Sequence, residues 1–294
     1  MEQNLLTKKQ LKEKSIEYQI PFADLLEAFL QETLMFQVLE TDFAKNLWLK
    51  NRDCFCPDAY REEWQKPLHF VYGQENGAAL PSLDEKLISD FAEEICRKRD
   101  NHIRWNYALE KEESDYLVYI TGEWEEMKVP LTIRISPLVY DMVKPEKQQL
   151  QSVFYEKKTA SYLHFPVETY LAEQIFSIIN YLELIPSMEA YDTVFHLLRQ
   201  EPVDGRHIYE TIVFLCKKAE AAPQTERIEM LASYEDYTYM KKRWEKYARK
   251  QGRENVSWET VLRQILFFVN PIWDAVCRDE IFFGDWMPDL SRYL

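Results

Sequence analysis

Glycine is scarce in this sequence. Only six occur in 294 residues, at positions 73, 77, 122, 205, 252 and 284. A loop that cradles phosphate needs glycine, because its backbone N–H groups must approach oxygens with no Cβ in the way. Glycines this far apart exclude a P-loop and a dinucleotide-binding fingerprint. No uninterrupted apolar run reaches about 18 residues, so no membrane-spanning helix is expected. The five cysteines (54, 56, 96, 216 and 277) are odd in number and follow no apolar leader, which points to free thiols in a reducing, cytoplasmic setting. Cys54 and Cys56 form a C-x-C pair without a second pair at zinc-site spacing, so no metal is assigned there. Cations are outnumbered: 36 Lys and Arg against 50 Asp and Glu leave a net charge of −14. That balance excludes broad, nonspecific binding to nucleic acid but leaves room for a local basic groove. Nor does any Asp-x-Asp pair occur in the chain.

What is present describes a globular protein. Apolar residues make up 46% and charged residues 29%, and the length supports one large domain or two ordinary ones. Residues 4–19 read as a charged helix, broken by Tyr18-Gln-Ile-Pro21, and the apolar spacing from Phe22 to Phe43 predicts a second helix. Residues 45–50 and 67–72 read as strands, the latter ending in the turn-prone run 73–77. Ser82, with Glu85 in capping-box position, predicts a helix over 82–98. Residues 116–121 and 129–135 predict an antiparallel pair joined by Gly122-Glu-Trp-Glu-Glu126. From Glu168 onward every segment reads as helix: 168–183, 187–200, 205–220, 225–250 and 257–278. The expected class is α+β, a mixed sheet with helices over 1–160 followed by a helical domain over 161–294.

Three stretches then stand out. Leu47-Trp-Leu-Lys50 ends the first strand, Pro166-Val-Glu-Thr-Tyr-Leu-Ala-Glu-Gln174 opens the helical half, and Met188-Glu-Ala-Tyr-Asp192 follows it. With the order of segments, they make the chain resemble the AbiEii/AbiGii-type nucleotidyltransferase toxin family. Members of that family carry a Leu-Lys-Gly-Gly-Thr turn, an Asp-hydrophobic-Asp-Phe strand and a later strand with a lone Asp. The resemblance spans nearly the whole chain and implies a nucleotidyltransferase-like fold. It also implies the family's setting: a protein partner of the antitoxin or regulator kind, an RNA, nucleotide or protein target, and no membrane.

Nucleotidyl transfer uses two Mg²⁺ ions, which are hard and want carboxylate oxygens. Measured against the family, this chain departs at each such place. Asn51 and Arg52 replace the Gly-Gly turn after Lys50, and Lys66-Pro67-Leu68-His69-Phe70 replaces the Asp-x-Asp strand. Arg134, within Thr132-Ile-Arg-Ile-Ser136, replaces the lone Asp. In the helical half Gln174 and Met188 replace lysines and Glu189 replaces an aspartate, while Tyr191 and Asp192 match.

The candidates for a degenerate or ligand-binding site are therefore Lys50, Lys66, Pro67, His69, Arg134, Glu189 and Asp192. No catalytic residue and no metal ligand is assigned. The expected function is a catalytically impaired family member acting by binding. One alternative is an active enzyme using Mg²⁺ and NTP through a shifted set, Asp141, Glu189 and Asp192; another is a scaffold or regulatory partner of an active homologue. Plainer readings stand beside these. His69 is expected as a satisfied structural group and Arg134 as the partner of an acid. If Lys50, Lys66 and Arg134 instead converge beside His69, an anion can bind there without metal. The basic stretch Lys241–Arg253 reads as a solvated helix whose Trp244 and Tyr247 face the core, with an RNA grip as the sharper alternative. The acidic run Glu110–Glu126 reads as a solvated hairpin edge.

Overall fold

The computed structural model describes residues 6–51, 66–74, 82–97, 102–140, 143–155, 157–252 and 255–294. The chain divides into two compact units, Met1–Pro166 and Val167–Leu294.

The first unit opens with α1 (Lys8–Glu17), capped by Thr7 and Gln10 in a reciprocal capping box. α2 (Phe22–Leu39) is apolar on most of its circumference and buried along nearly its whole length, as such a helix must be. A 3₁₀ turn at Ala44–Asn46 shortens the expected strand to β1 (Leu47–Leu49). β2 (Leu68–Tyr72) and α3 (Glu85–Arg97) follow. The cap of α3 is not Ser82: the Asp84 carboxylate accepts from Leu87 N–H at 2.8 Å, where a charged acceptor meets the first orphan donors of the helix. Next come β3 (Arg104–Glu112), β4 (Asp115–Trp124), β5 (Met127–Pro137), β6 (Glu146–Gln151) and β7 (Thr159–His164).

The seven strands run in the order β3-β4-β5-β2-β1-β7-β6, with β2–β5 and β1–β7 parallel and the other neighbours antiparallel. The strands expected at 45–50, 67–72 and 129–135 thus lie side by side. Three strands escaped the sequence reading. Of these, β3 carries a legible alternation of Trp105, Tyr107 and Leu109, whereas β6 and β7 are too polar to show one. The acidic run is also corrected: β4 lies inside the sheet and β3 forms its edge. Leu68, Phe70, Ile133, Ile135, Val118 and Ile120 alternate onto one face and share a core with α2 and α3. Burying such side chains stabilises by about 1.5–3 kcal/mol each. His69, Arg134 and Ser136 take the other parity and fall on the opposite face.

The second unit contains α4 (Val167–Tyr181), α5 (Glu189–Gln200), α6 (Gly205–Lys218), α7 (Thr225–Ser233), α8 (Thr238–Lys250) and α9 (Trp258–Arg278). The single helix expected over 225–250 is two. Tyr234 ends the first, its carbonyl taking the Trp258 indole N–H at 2.7 Å and the Tyr237 N–H at 3.1 Å. The expectation of an all-helical half also fails at one point. β8 (Val203–Asp204), β9 (Asp285–Met287) and β10 (Arg292–Tyr293) form a small antiparallel sheet. Gly205 is required at its edge, since an added Cβ would collide with the Gly284 carbonyl. Trp244, Trp258 and Trp286 fill the core, and each indole N–H finds a backbone carbonyl. No helix among the described residues is long and apolar enough to cross a membrane. Cys96, Cys216 and Cys277 are free thiols; Cys54 and Cys56 lie outside the described residues.

Candidate functional site

The face of the sheet that carries His69 and Arg134 is organised by the end of β1. Lys50 N–H donates to the His69 carbonyl at 2.7 Å, extending the β1–β2 ladder by one residue. The next residue, Asn51, carries a carboxamide that both donates and accepts. Its Nδ2 donates to the Pro67 carbonyl at 3.0 Å and its Oδ1 accepts from His69 N–H at 2.6 Å. Asn51 therefore secures the backbone on either side of Leu68, and its own carbonyl meets His164 Nε2 at 3.1 Å. Lys50 Nζ lies 5.2 Å from the centre of the Phe165 ring.

The β2–β5 register sets His69 opposite Arg134 and Val71 opposite Ser136, while β4 sets Leu117 opposite Arg134. The His69 imidazole reaches diagonally to Ser136, with Nε2 2.8 Å from Oγ. Burial lowers its proton affinity first, the charge of Lys50 second and that of Arg134 further, against an opposing pull from Asp115. The result is a pKa lowered from 6.5 to about 3, so the ring is neutral at ordinary pH.

Arg134 is held from the other side. Its guanidinium donates to Asp115 Oδ2 at 3.0 Å and to Glu112 Oε2 at 2.7 Å. These acids face each other across the β3–β4 ladder, next to the turn at residues 113 and 114. The hairpin thus delivers two carboxylates to one planar fork. Beside them Tyr119 donates to Glu110 Oε2 at 2.8 Å.

Lys50, His69 and Arg134 are therefore neighbours, and the acid-paired reading of Arg134 matches the geometry. The guanidinium faces Glu112 and Asp115, because the β3–β4 turn brings both within hydrogen-bond reach, and the alternative in which it turns to an anion is not what the geometry shows. Pro67 is exposed and offers no ligand atom. Lys66 shares the parity of Leu68 rather than of His69, and its carbonyl accepts from Gln31 of α2 at 3.2 Å. Glu189 and Asp192 belong to the second unit. Glu189 opens α5, whereas Asp192 is buried, accepts from the Tyr247 hydroxyl at 3.0 Å and lies 3.1 Å from His196 Nδ1. Asp141 lies outside the described residues. The sequence reading missed Asp115, Glu112, Ser136 and the clamp made by Asn51. Only Ser136 carried a local signal, by sharing the parity of Arg134.

The residues at the expected metal positions do not fit Mg²⁺. Pro67 has no donor, His69 is a neutral nitrogen donor between cations, and Arg134 is itself a cation. Among the described residues no group of three His, Cys, Asp or Glu side chains could hold a metal ion.

Neither a protein-family model nor a curated protein matches this chain. Two solved structures are similar to it over most of their length. A candidate nucleotidyltransferase from Helicobacter pylori is 9% identical with a TM-score of 0.41, covering 86% of this chain and 95% of its own. JHP933, also from Helicobacter pylori, is 11% identical with a TM-score of 0.42, covering 86% of this chain and 92% of its own.

Proposed function

We propose that this chain is a nucleotidyltransferase-like protein without metal-dependent nucleotidyl transfer, and that it acts by binding. The observation that carries this reading is the pairing of His69 with Arg134 on adjacent parallel strands. The resemblance calls for carboxylates at both positions. Two-metal chemistry needs anionic oxygens to bind the ions and to neutralise the charge between them. A neutral imidazole and a guanidinium supply no such oxygens, and the guanidinium repels a cation. Two described acids beside the site, Asp115 and Glu112, are engaged by Arg134 itself. Where the family keeps a glycine turn open to phosphate, Asn51 is tied to the backbone of β2.

On this reading the sheet unit is a retained scaffold and the helical unit its companion. The ligand class is RNA or nucleotide, and the macromolecular partner is an antitoxin-like or regulatory protein in a bacterial cytoplasm. An active enzyme built on Asp141, Glu189 and Asp192 is disfavoured, because Asp192 is buried and bonded to Tyr247 and His196.

The test is to incubate the full chain with labelled NTPs, Mg²⁺ or Mn²⁺, and total bacterial RNA, scoring label on RNA and on the protein. No transfer is expected. Transfer that Asp141→Ala abolishes would overturn the reading in favour of the shifted carboxylate set.

A further inference from the structure

α8 presents a surface separate from the sheet, and the inference drawn from it rests on the RNA ligand class proposed above. Met240, Trp244 and Ala248 are buried, and Tyr247 is tied to Asp192, which fixes the inward side of the helix. At about 100° per residue, Tyr239, Arg243, Lys246 and Lys250 then share one outward stripe, with Lys242 on its margin. The stripe spans about 16 Å at 1.5 Å per residue.

Its N-terminal end carries rings. Tyr237 and Tyr239 are 44% and 51% exposed. They continue a ladder that starts at the buried Tyr234, with ring centres 5.6 Å and then 5.9 Å apart. The Arg243 guanidinium lies 5.6 Å from the Tyr239 ring and is pinned by the carbonyls of Glu183, Ile185 and Pro186. An arginine fixed in this way holds the tyrosine in place.

Four neighbouring acids are engaged: Glu183 accepts from the Tyr234 hydroxyl, and three have cations of their own. Asp236 and Glu259 hold Lys241, and Glu235 holds Arg263. Glu245 lies on the flank of the helix. In a chain of net charge −14, the exposed Lys242, Lys246 and Lys250 beside two open rings make a local reversal of sign.

We propose that this face of α8 binds single-stranded nucleic acid. The lysines meet backbone phosphates and Tyr237 and Tyr239 stack on unpaired bases. Both halves of the pattern are needed for this ligand. A duplex hides its base faces, so two projecting rings favour an unpaired strand. A membrane surface would require large apolar side chains along the stripe, which are absent here.

The experiment is fluorescence anisotropy of the full chain with a labelled 12-nucleotide RNA, the same sequence as DNA, and the RNA in a duplex, with heparin as competitor. Binding of one or both single strands, weakening steadily with added salt, is expected. Lys242→Glu combined with Lys246→Glu should weaken it by roughly tenfold or more. Tyr237→Ala combined with Tyr239→Ala should weaken it by about tenfold while leaving heparin binding intact. Each variant is accepted only with a wild-type thermal melt, and Lys250→Glu serves where a pair does not fold. The proposal is overturned by no binding at low salt, by a duplex bound as tightly as the single strand, or by an unchanged affinity in the tyrosine variant.

Discussion

His69 stands opposite Arg134 across the parallel β2–β5 ladder, yet its imidazole bonds Ser136, one pleat further along β5. A ring placed between Lys50 and Arg134 and partly withdrawn from water has little reason to take up a proton.

The first prediction follows from that neutrality. The folded-state pKa, about 3, lies below the ordinary 6.5, so the unfolded chain binds the proton first as pH falls. The stability associated with neutral His69 is complete above about pH 6.5 and is lost as pH falls toward 3, with a slope of up to about 1.4 kcal/mol per pH unit. Denaturant melts at pH 7 and pH 4.5 should show a smaller drop for His69→Gln than for wild type. Imidazole NMR should show no titration of His69 between pH 5 and 8; a midpoint near 6.5 would refute the neutral ring.

Arg134→Ala should cost little. The Arg134, Glu112 and Asp115 side chains are 36%, 54% and 19% exposed, so water screens what remains of both acids. A loss of about 0.5–1 kcal/mol is expected, shrinking in high salt. A loss above about 3 kcal/mol, measured by urea unfolding, would mean that the pair behaves as a buried one.

Glu32 should be far more sensitive. It is fully buried in α2 and accepts from the Ser152 hydroxyl, from Val153 N–H at 2.8 Å and from Phe154 N–H at 3.5 Å. Glu32→Ala strands those donors, at a cost of about 2–4 kcal/mol. Burial nevertheless raises its pKa above 4.5, outweighing the donors and Lys158. Its contribution is therefore greatest below pH 4.5 and falls as pH rises through the raised value, and Glu32→Ala should flatten that part of the stability–pH curve.

In the helical unit the two candidate carboxylates should separate. Asp192→Ala removes the acceptor of the Tyr247 hydroxyl and the companion of His196, for a loss of about 1–3 kcal/mol. Glu189→Ala, at the first turn of α5, should change stability by about 0.5–1 kcal/mol through the helix dipole. Thermal unfolding of the two variants gives the comparison. Equal losses would remove the case for Asp192 as a tie between α5 and α8.

Much of the fold was legible because local chemistry fixed it. The apolar circumference of α2, the strands at 47–49 and 68–72, and the alternation of Leu131, Ile133 and Ile135 each read directly from neighbouring residues. Trp244 turned inward in α8 because its spacing matches Met240 and Ala248. Capping was less legible: Ser82 and Asp84 are both good acceptors, and only the backbone path chooses between them.

The sequence by itself determined the parity of β2 and β5, and so that His69 and Arg134 leave the core side of the sheet. Which strand lies beside which, and in what register, was decided by tertiary structure. Strand pairing joins residues far apart in the chain, and a slip of one residue would turn every side chain to the other face. The pairing of Arg134 with Asp115 and Glu112, and of His69 with Ser136, depends on that register alone. No local pattern around residue 134 could reveal that its charge is already met.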